Sequence, residues 1–147
     1  MIISFDLDDT LIPSSNSFEC EQSNILGKLL GLEPLRKGTK ELFKLLKKDG
    51  HEIWIYTTSY RSKNKIRLIF GIHGLFPQRI INQTINAKVL KRYNCYSSKN
   101  PSLFGIDLHI DDAKGVKMES EKDNSNVLII LPENNNWVIE IINSIAN

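Results

Sequence analysis

Five short apolar runs, the first four separated from one another by stretches with helical spacing, predict an α/β fold. Strands that alternate with helices feed a parallel sheet. The expected architecture is therefore a three-layer, Rossmann-like sandwich around a central five-stranded parallel sheet. The run at residues 127–131 is uninterrupted and apolar, as strands buried on both faces of such a sheet are. Residues 1–147 read as a single domain, long enough to bury a core.

The elements follow in order. Ile2, Ile3 and Phe5 form the first strand, which ends in the acids Asp6, Asp8 and Asp9. Residues 12–24 are rich in Ser, Asn and Pro, lack periodicity, and predict a loop lying over those acids. Ile25, Leu26, Leu29 and Leu30 have helical spacing, with Gly31 as the stop. Thr39 is placed to cap a helix whose apolar face is Leu42, Phe43, Leu45 and Leu46, and Gly50 ends it. Residues 53–56 are the second strand, running into Thr57, Thr58 and Ser59. A helix over 63–70 turns Ile66, Ile69 and Phe70 inward, 79–82 is a short third strand, and 86–93 is another helix. Residues 95–100 are a polar loop, and Asn100 caps one helical turn that begins at Pro101. The fourth strand, 106–110, ends in Asp111 and Asp112. Residues 122–126 are a surface loop before the fifth strand, and 137–145 are a closing amphipathic helix.

The composition narrows the function classes. The net charge is only +2 with the signs interspersed, which gives no electrostatic case for nucleic acid or membrane binding. Cys20 and Cys95 do not form a CxxC pair, so neither a disulfide framework nor a zinc site is indicated. No apolar stretch approaches the length needed to cross a bilayer, and the N-terminus lacks the basic-then-apolar order of a signal peptide. A cytoplasmic location is expected.

Ligand sites of parallel α/β sheets lie beyond the carboxyl ends of the strands. Three strand ends carry polar groups there: Asp6 and Asp8, then Thr57 and Thr58, then Asp111 and Asp112, with Lys99 just before the fourth strand. Asp6 and Asp8 are two apart and face one pocket if the strand geometry continues. Two carboxylates about 4 Å apart repel by about 4 kcal/mol at an effective dielectric near 20, which a proton or a hard divalent cation such as Mg²⁺ would offset. The plainer alternative is a strand followed by an acidic turn. Carboxylates, a hydroxyl and an ammonium on one rim suit phosphoryl transfer, which needs charge neutralisation and in-line positioning.

Asp6-x-Asp8-x-Thr10 after a strand, Thr57 after the second, Lys99 at a helix start and Asp111-Asp112 after the fourth together resemble the four motifs of the haloacid dehalogenase (HAD) superfamily of phosphohydrolases. The resemblance spans nearly the whole chain, in matching order. It implies that Asp6 is a nucleophile forming an aspartyl-phosphate, and that Asp8 is the general acid and then the base. It also implies Mg²⁺ held by Asp6, the Asp8 carbonyl and Asp111, with Asp112 either a further ligand or a support behind the ligands, and Thr57 and Lys99 steadying the phosphoryl group. Thr10, Thr58 and Arg61 are the expected substrate contacts. An acid at position 8 favours phosphatase over dehalogenase chemistry. Residues 12–38 and 59–98 leave no room for a cap domain, so a capless member is implied. Its open site suits either a macromolecular substrate or a lid supplied by a second copy of the chain. A small phosphomonoester with homo-oligomeric closure is favoured.

Rival readings attach to these residues. Thr57, Thr58 and Ser59 also suit a helix cap, and Asp111-Asp112 a polar turn. Lys88 and Lys91 compete with Lys99 for the lysine role. His51, His73 and His109 lack ligand spacing and read as structural or surface residues. Receiver domains also use a phospho-aspartate, a hydroxyl, a lysine and Mg²⁺. However, they carry the acidic pair on the first strand and the acceptor on a later one, the reverse of the order here. A non-catalytic phosphoryl- or partner-binding domain of the same fold is the remaining alternative.

Overall fold

The computed structural model describes residues 1–15, 17–22 and 25–146. Asn16, Ser23 and Asn24 of the expected loop lie outside the described residues. The elements are β1 (Ile2–Phe5), α1 (Ile25–Leu29), α2 (Thr39–Lys48), β2 (Glu52–Tyr56), α3 (Lys63–Gly71), β3 (Arg79–Ile81), α4 (Gln83–Arg92), a 3₁₀ turn (Pro101–Phe104), β4 (Leu108–Asp111), α5 (Lys114–Lys122), β5 (Val127–Ile129) and α6 (Trp137–Ala146). The five strands form one parallel sheet in the order β3-β2-β1-β4-β5. The chain builds outward from β1 to β3, then crosses back to place β4 on the other side of β1. The topological switch point therefore falls between β1 and β4.

Side-chain alternation divides the core between the two sheet faces. Ile3, Phe5, Ile53, Ile55, Leu108 and Ile110 join Leu42, Phe43 and Leu46 of α2, Ile66 and Phe70 of α3, and Trp137 and Ile141 of α6. Phe43 lies between Phe5 and Phe70, with ring centroids 5.2 and 5.8 Å away. Trp54, Tyr56 and Ile81 point the other way, into a smaller cluster with Phe104, Ile106 and the half-buried Ile85 and Val89 of α4. The same alternation places Ser4 on the second face, among polar groups.

Several boundaries differ from the sequence expectation. Helix α4 starts at Gln83, because Asn82 leaves the strand and accepts the Ile85 N–H as the N-cap. Gly38, not Thr39, is the residue before α2. Its φ is +93°, and a Cβ there would lie 2.9 Å from Val138 Cγ2, so glycine is required both by backbone and by the approach of α6. Helix α5 was not anticipated: KGVKMESEK buries only Val116 and Ser120, too little for a visible stripe. Strand β4 runs to Asp111, so the first acid of that pair is in the strand itself. Helix α1 forms as expected, but Ile25, Leu26, Leu29 and Leu30 are all exposed rather than turned to the core.

The loop after β1 is fastened at two points. Asp9, in the left-handed region at φ 58°, accepts from the Ser14 N–H and hydroxyl. Arg36 is buried, and its guanidinium is stacked between Phe18 and Trp137 at 4.5 and 4.8 Å. It donates to the carbonyls of Thr10, Leu131, Pro132 and Asn134. No described helix is long and apolar enough to cross a membrane.

Candidate active site

Strand register brings the acids together. Phe5 pairs with Ile110 across β1 and β4, so the next residues, Asp6 and Asp111, lie side by side at the carboxyl end of the sheet. The Asp6 N–H donates to the Ile110 carbonyl at 2.9 Å, which carries the ladder one step past the strand end. Lys99 inserts between the two carboxylates, and its Nζ is 2.6 Å from both Asp6 Oδ1 and Asp111 Oδ2. Lys99 is 3% exposed, whereas Lys88 and Lys91 are exposed on α4, which separates the three candidate lysines.

A polar scaffold holds that lysine. Tyr56 Oη donates to Asn86 Oδ1 and accepts the Asn100 N–H at 2.8 Å. Asn86 donates to the Ser98 carbonyl, and Glu119 accepts from the N–H and hydroxyl of Ser98. The residues flanking Lys99 are therefore fixed on both sides, and Asn100 also accepts the Leu103 N–H to start the 3₁₀ turn, as the sequence predicts.

His109, which the sequence leaves as a structural or surface residue, is a buried neighbour of the acids that sequence reading did not connect to them. It is fully buried on β4, two residues before Asp111 and so on the same face. Its Nε2 lies 2.9 Å from Asp111 Oδ2 and its Nδ1 2.8 Å from the Ser4 hydroxyl. Burial lowers its pKa, so the neutral ring donates to Asp111 through Nε2 and accepts from Ser4. The one available signal was the i, i+2 spacing of His109 and Asp111 on a strand that also carries the acids.

The electrostatics of the cluster follow from these contacts. Burial pushes the Asp6 carboxyl up, and the adjacent Lys99 charge offsets this only in part. Asp111 is also penalised by burial, but bonds from His109 and Lys99 hold it far below the ordinary carboxylate range. Burial disfavours the Lys99 ammonium, yet Asp6 and Asp111 keep its pKa above the usual value. Asp112, half-buried and beside Asp111, is pushed up.

Asp6, Asp111 and Asp112 each offer an oxygen within 4.8 Å of the others. Oxygens around an octahedral Mg²⁺ with bonds near 2.1 Å are about 3.0 to 4.2 Å apart, so the cluster is close to that spacing. Three carboxylates against the single Lys99 ammonium leave a formal charge of −2, which a divalent cation matches. The donor set, all hard oxygens, fits such an ion.

The remaining expected site residues are placed as follows. Thr57 is buried at the end of β2, and its hydroxyl accepts the Ser59 N–H at 3.1 Å, an arrangement that also turns the chain toward α3. Thr58 is exposed. Thr10 is fully buried and donates to Asp112 Oδ1 at 3.3 Å, so it braces an acid instead of facing solvent, as a substrate contact would. Asp8 does not join the three-carboxylate cluster. The chain has left the strand, and the Asp8 carboxylate turns to Arg61, with Nη1 to Oδ2 at 2.9 Å and Nη2 to Oδ1 at 2.8 Å. The repulsion expected between Asp6 and Asp8 is thus met by two separate cations, Lys99 for one and Arg61 for the other. A cleft of about 570 Å³ lined by Phe18, Arg36, Gly38, Asn136 and Trp137 lies elsewhere, and neither Asp6 nor Asp111 borders it.

No family model matches the chain, and no curated relative does. Solved structures do. A HAD-superfamily hydrolase of subfamily IA from Geobacter sulfurreducens superposes with a TM-score of 0.60 at 13% identity, covering 97% of this chain and 98% of that one. A predicted phosphatase from Clostridium acetobutylicum gives a TM-score of 0.55 at 13% identity over 95% and 89% of the two chains. A predicted HAD-like hydrolase from Porphyromonas gingivalis gives 0.53 at 11% over 99% and 98%. Likenesses at this identity speak for architecture, and the fold of this chain is similar to that of these hydrolases.

Proposed function

We propose that this chain is a phosphomonoesterase, a capless hydrolase of one domain that works with a divalent cation, Mg²⁺ by the chemistry of its ligands. The observation that carries the reading is the Lys99 ammonium held between Asp6 and Asp111 at the switch point, with Asp112 beside them. Asp6, Asp111 and Asp112 would hold the ion, with the Asp8 carbonyl as the family resemblance implies. When bound, the ion supplies charge neutralisation at the phosphoryl oxygens.

In the first step an Asp6 carboxylate oxygen attacks phosphorus, the bond from phosphorus to the ester oxygen breaks, and Asp8 gives a proton to that oxygen. In the second step Asp8 takes a proton from water, the water oxygen attacks phosphorus, and the Asp6–phosphate bond breaks to release inorganic phosphate. Lys99 keeps the Asp6 oxygens oriented and shares the charge that builds on the transferring group. Thr57 donates its hydroxyl hydrogen to a phosphoryl oxygen. Asp8 at the mouth of the site favours turnover over the long-lived phospho-aspartate of a receiver domain.

A small phosphomonoester is the favoured substrate. The exposed apolar residues of α1 (Ile25, Leu26 and Leu29), with Leu30 just after it, support closure of the site by a second copy. The half-buried, unpaired Cys20 and Cys95 suit the reducing cytoplasm. The deciding experiment is phosphate release from a panel of phosphomonoesters, with and without Mg²⁺, by wild type and Asp6→Asn. Release that requires Mg²⁺ and vanishes in Asp6→Asn is expected. Release that survives the substitution refutes the nucleophile.

A further inference from the structure

Arg61 binds the carboxylate of Asp8 through both terminal nitrogens, so neither carboxylate oxygen is left free to carry a proton to a leaving group. The pair must open before Asp8 can act. Three contacts stay with the arginine when it does. Nε donates to Glu33 Oε1 at 3.0 Å, Nη1 donates to the Ser59 hydroxyl at 2.8 Å, and Asn82 holds the Arg61 carbonyl. Glu33 offers more than it gives in this arrangement. Its Oε2 is buried with no hydrogen-bond partner from another residue, beside the guanidinium, so Arg61 has a second acceptor to turn toward when it leaves Asp8.

We infer that Arg61 selects phosphomonoesters bearing a second anionic group close to the ester, a carboxylate or another phosphate, which draws the guanidinium off Asp8 and so releases the acid for catalysis. The fork of Arg61 matches either anion. The distance follows from the chain of contacts. The ester oxygen bonds to Asp8, and Asp8 bonds to Arg61. The second anion, bonded to Arg61, is the third link of that chain, and a group carried on the carbon next to the ester carbon is close enough to make it. A substrate without that anion must open the pair with Glu33 Oε2 as the one new acceptor for the guanidinium.

This inference rests on the phosphatase reading and is tested alongside it. The probes are ethyl phosphate, carboxymethyl phosphate and ethane-1,2-diyl bisphosphate, with wild type, Arg61→Gln and Arg61→Lys, and kcat and KM measured separately. Wild type is expected to prefer the two anionic probes. In Arg61→Gln that preference in kcat/KM falls at least tenfold and ethyl phosphate turns over faster than with wild type, since Asp8 is free. Arg61→Lys keeps the charge but cannot span both Asp8 oxygens, so its preference falls between the two and serves if Arg61→Gln does not fold. A larger response to one anionic probe than to the other identifies the second group as carboxylate or phosphate. An equal loss on all three probes shows that Arg61 only positions Asp8 and overturns the inference, while leaving the phosphatase intact. Absence of turnover of every probe and of the wider phosphomonoester panel by wild type overturns both.

Discussion

Replacing Lys99 with methionine removes the charge and keeps most of the volume. The ammonium lies between two buried carboxylates, with charge centres about 3.5 Å away, so each attraction is about 5 kcal/mol at an effective dielectric near 20. Part of that is returned, because the buried ammonium no longer has to be desolvated. Removing one partner of a buried pair typically costs about 3–5 kcal/mol. In a domain of this size that lowers the melting temperature by about 10 °C. The assay is urea and thermal unfolding in EDTA, with Lys88→Met as the exposed control, expected to stay within about 0.5 kcal/mol of wild type. The sign of the pH response is also set. Without Lys99 the Asp6 carboxyl loses the charge that partly offsets its burial, so its folded-state pKa rises further above the unfolded one and the variant loses stability as pH rises through the unfolded value. Its deficit against wild type therefore narrows as pH falls toward the unfolded carboxylate value, about 3.9. Excess Mg²⁺ narrows it as well, by supplying the missing positive charge. A Lys99→Met protein within about 1 kcal/mol of wild type at neutral pH would refute this account of the cluster.

Further outcomes follow from other contacts. His109→Leu removes the donor to Asp111 and leaves Ser4 without its partner, so Mg²⁺ affinity measured by calorimetry should fall about 10- to 100-fold while the secondary structure is kept. Gly38→Ala forces a Cβ toward Val138 in a left-handed backbone, and should cost about 1–3 kcal/mol in urea unfolding. Adding Val138→Ala should recover only the clash and not the backbone strain. Asp9 is held below its ordinary pKa chiefly by the Ser14 hydroxyl, so its contribution to stability is present above about pH 3.9 and lost as pH falls through the folded value. Asp9→Asn, which tolerates the left-handed conformation, should flatten that acid limb in pH-dependent unfolding curves, whereas Asp9→Ala should also lower stability at neutral pH. Light scattering reads the oligomeric state, and Leu29→Lys on the exposed face of α1 should shift a dimer to monomer.

Much of the fold was legible because its signals are local. β1 and the 3₁₀ turn at Pro101 fall where apolar runs and caps place them. Helix α5 was not legible, since its two buried residues, Val116 and Ser120, make no periodic pattern. The face of α1 misled because helical spacing reports amphipathicity but not what covers it. In the site, the strand-end acids, Thr57 and Lys99 could be read from their positions, since a parallel sheet collects whatever follows its strands. Pairings between distant residues could not. The Arg61–Asp8 bridge spans 53 residues and the Ser4–His109 bond 105, and neither has a sequence signature. The sequence suggested that Asp8 and Asp6 share a pocket, which assumed that strand alternation continues; the isolated bridge of Asp8 to Ile12 shows the chain already turning.

Arg36 makes the far end of the chain answerable for the near one. Its guanidinium is a keystone: Trp137 of the last helix closes one side, Phe18 the other, and its N–H groups hold the Thr10 carbonyl while the Thr10 hydroxyl braces Asp112. A truncation before Trp137 would spare Asp6, Asp8, Asp111, Asp112 and Lys99, yet it would take away the wall against which that guanidinium is stacked. The loop that aims Asp112 would then be set free. In this molecule the last helix is tied to Asp112 through Arg36 and Thr10, so damage there should be felt at the rim of the sheet as well as in the core that Trp137 and Ile141 help to fill.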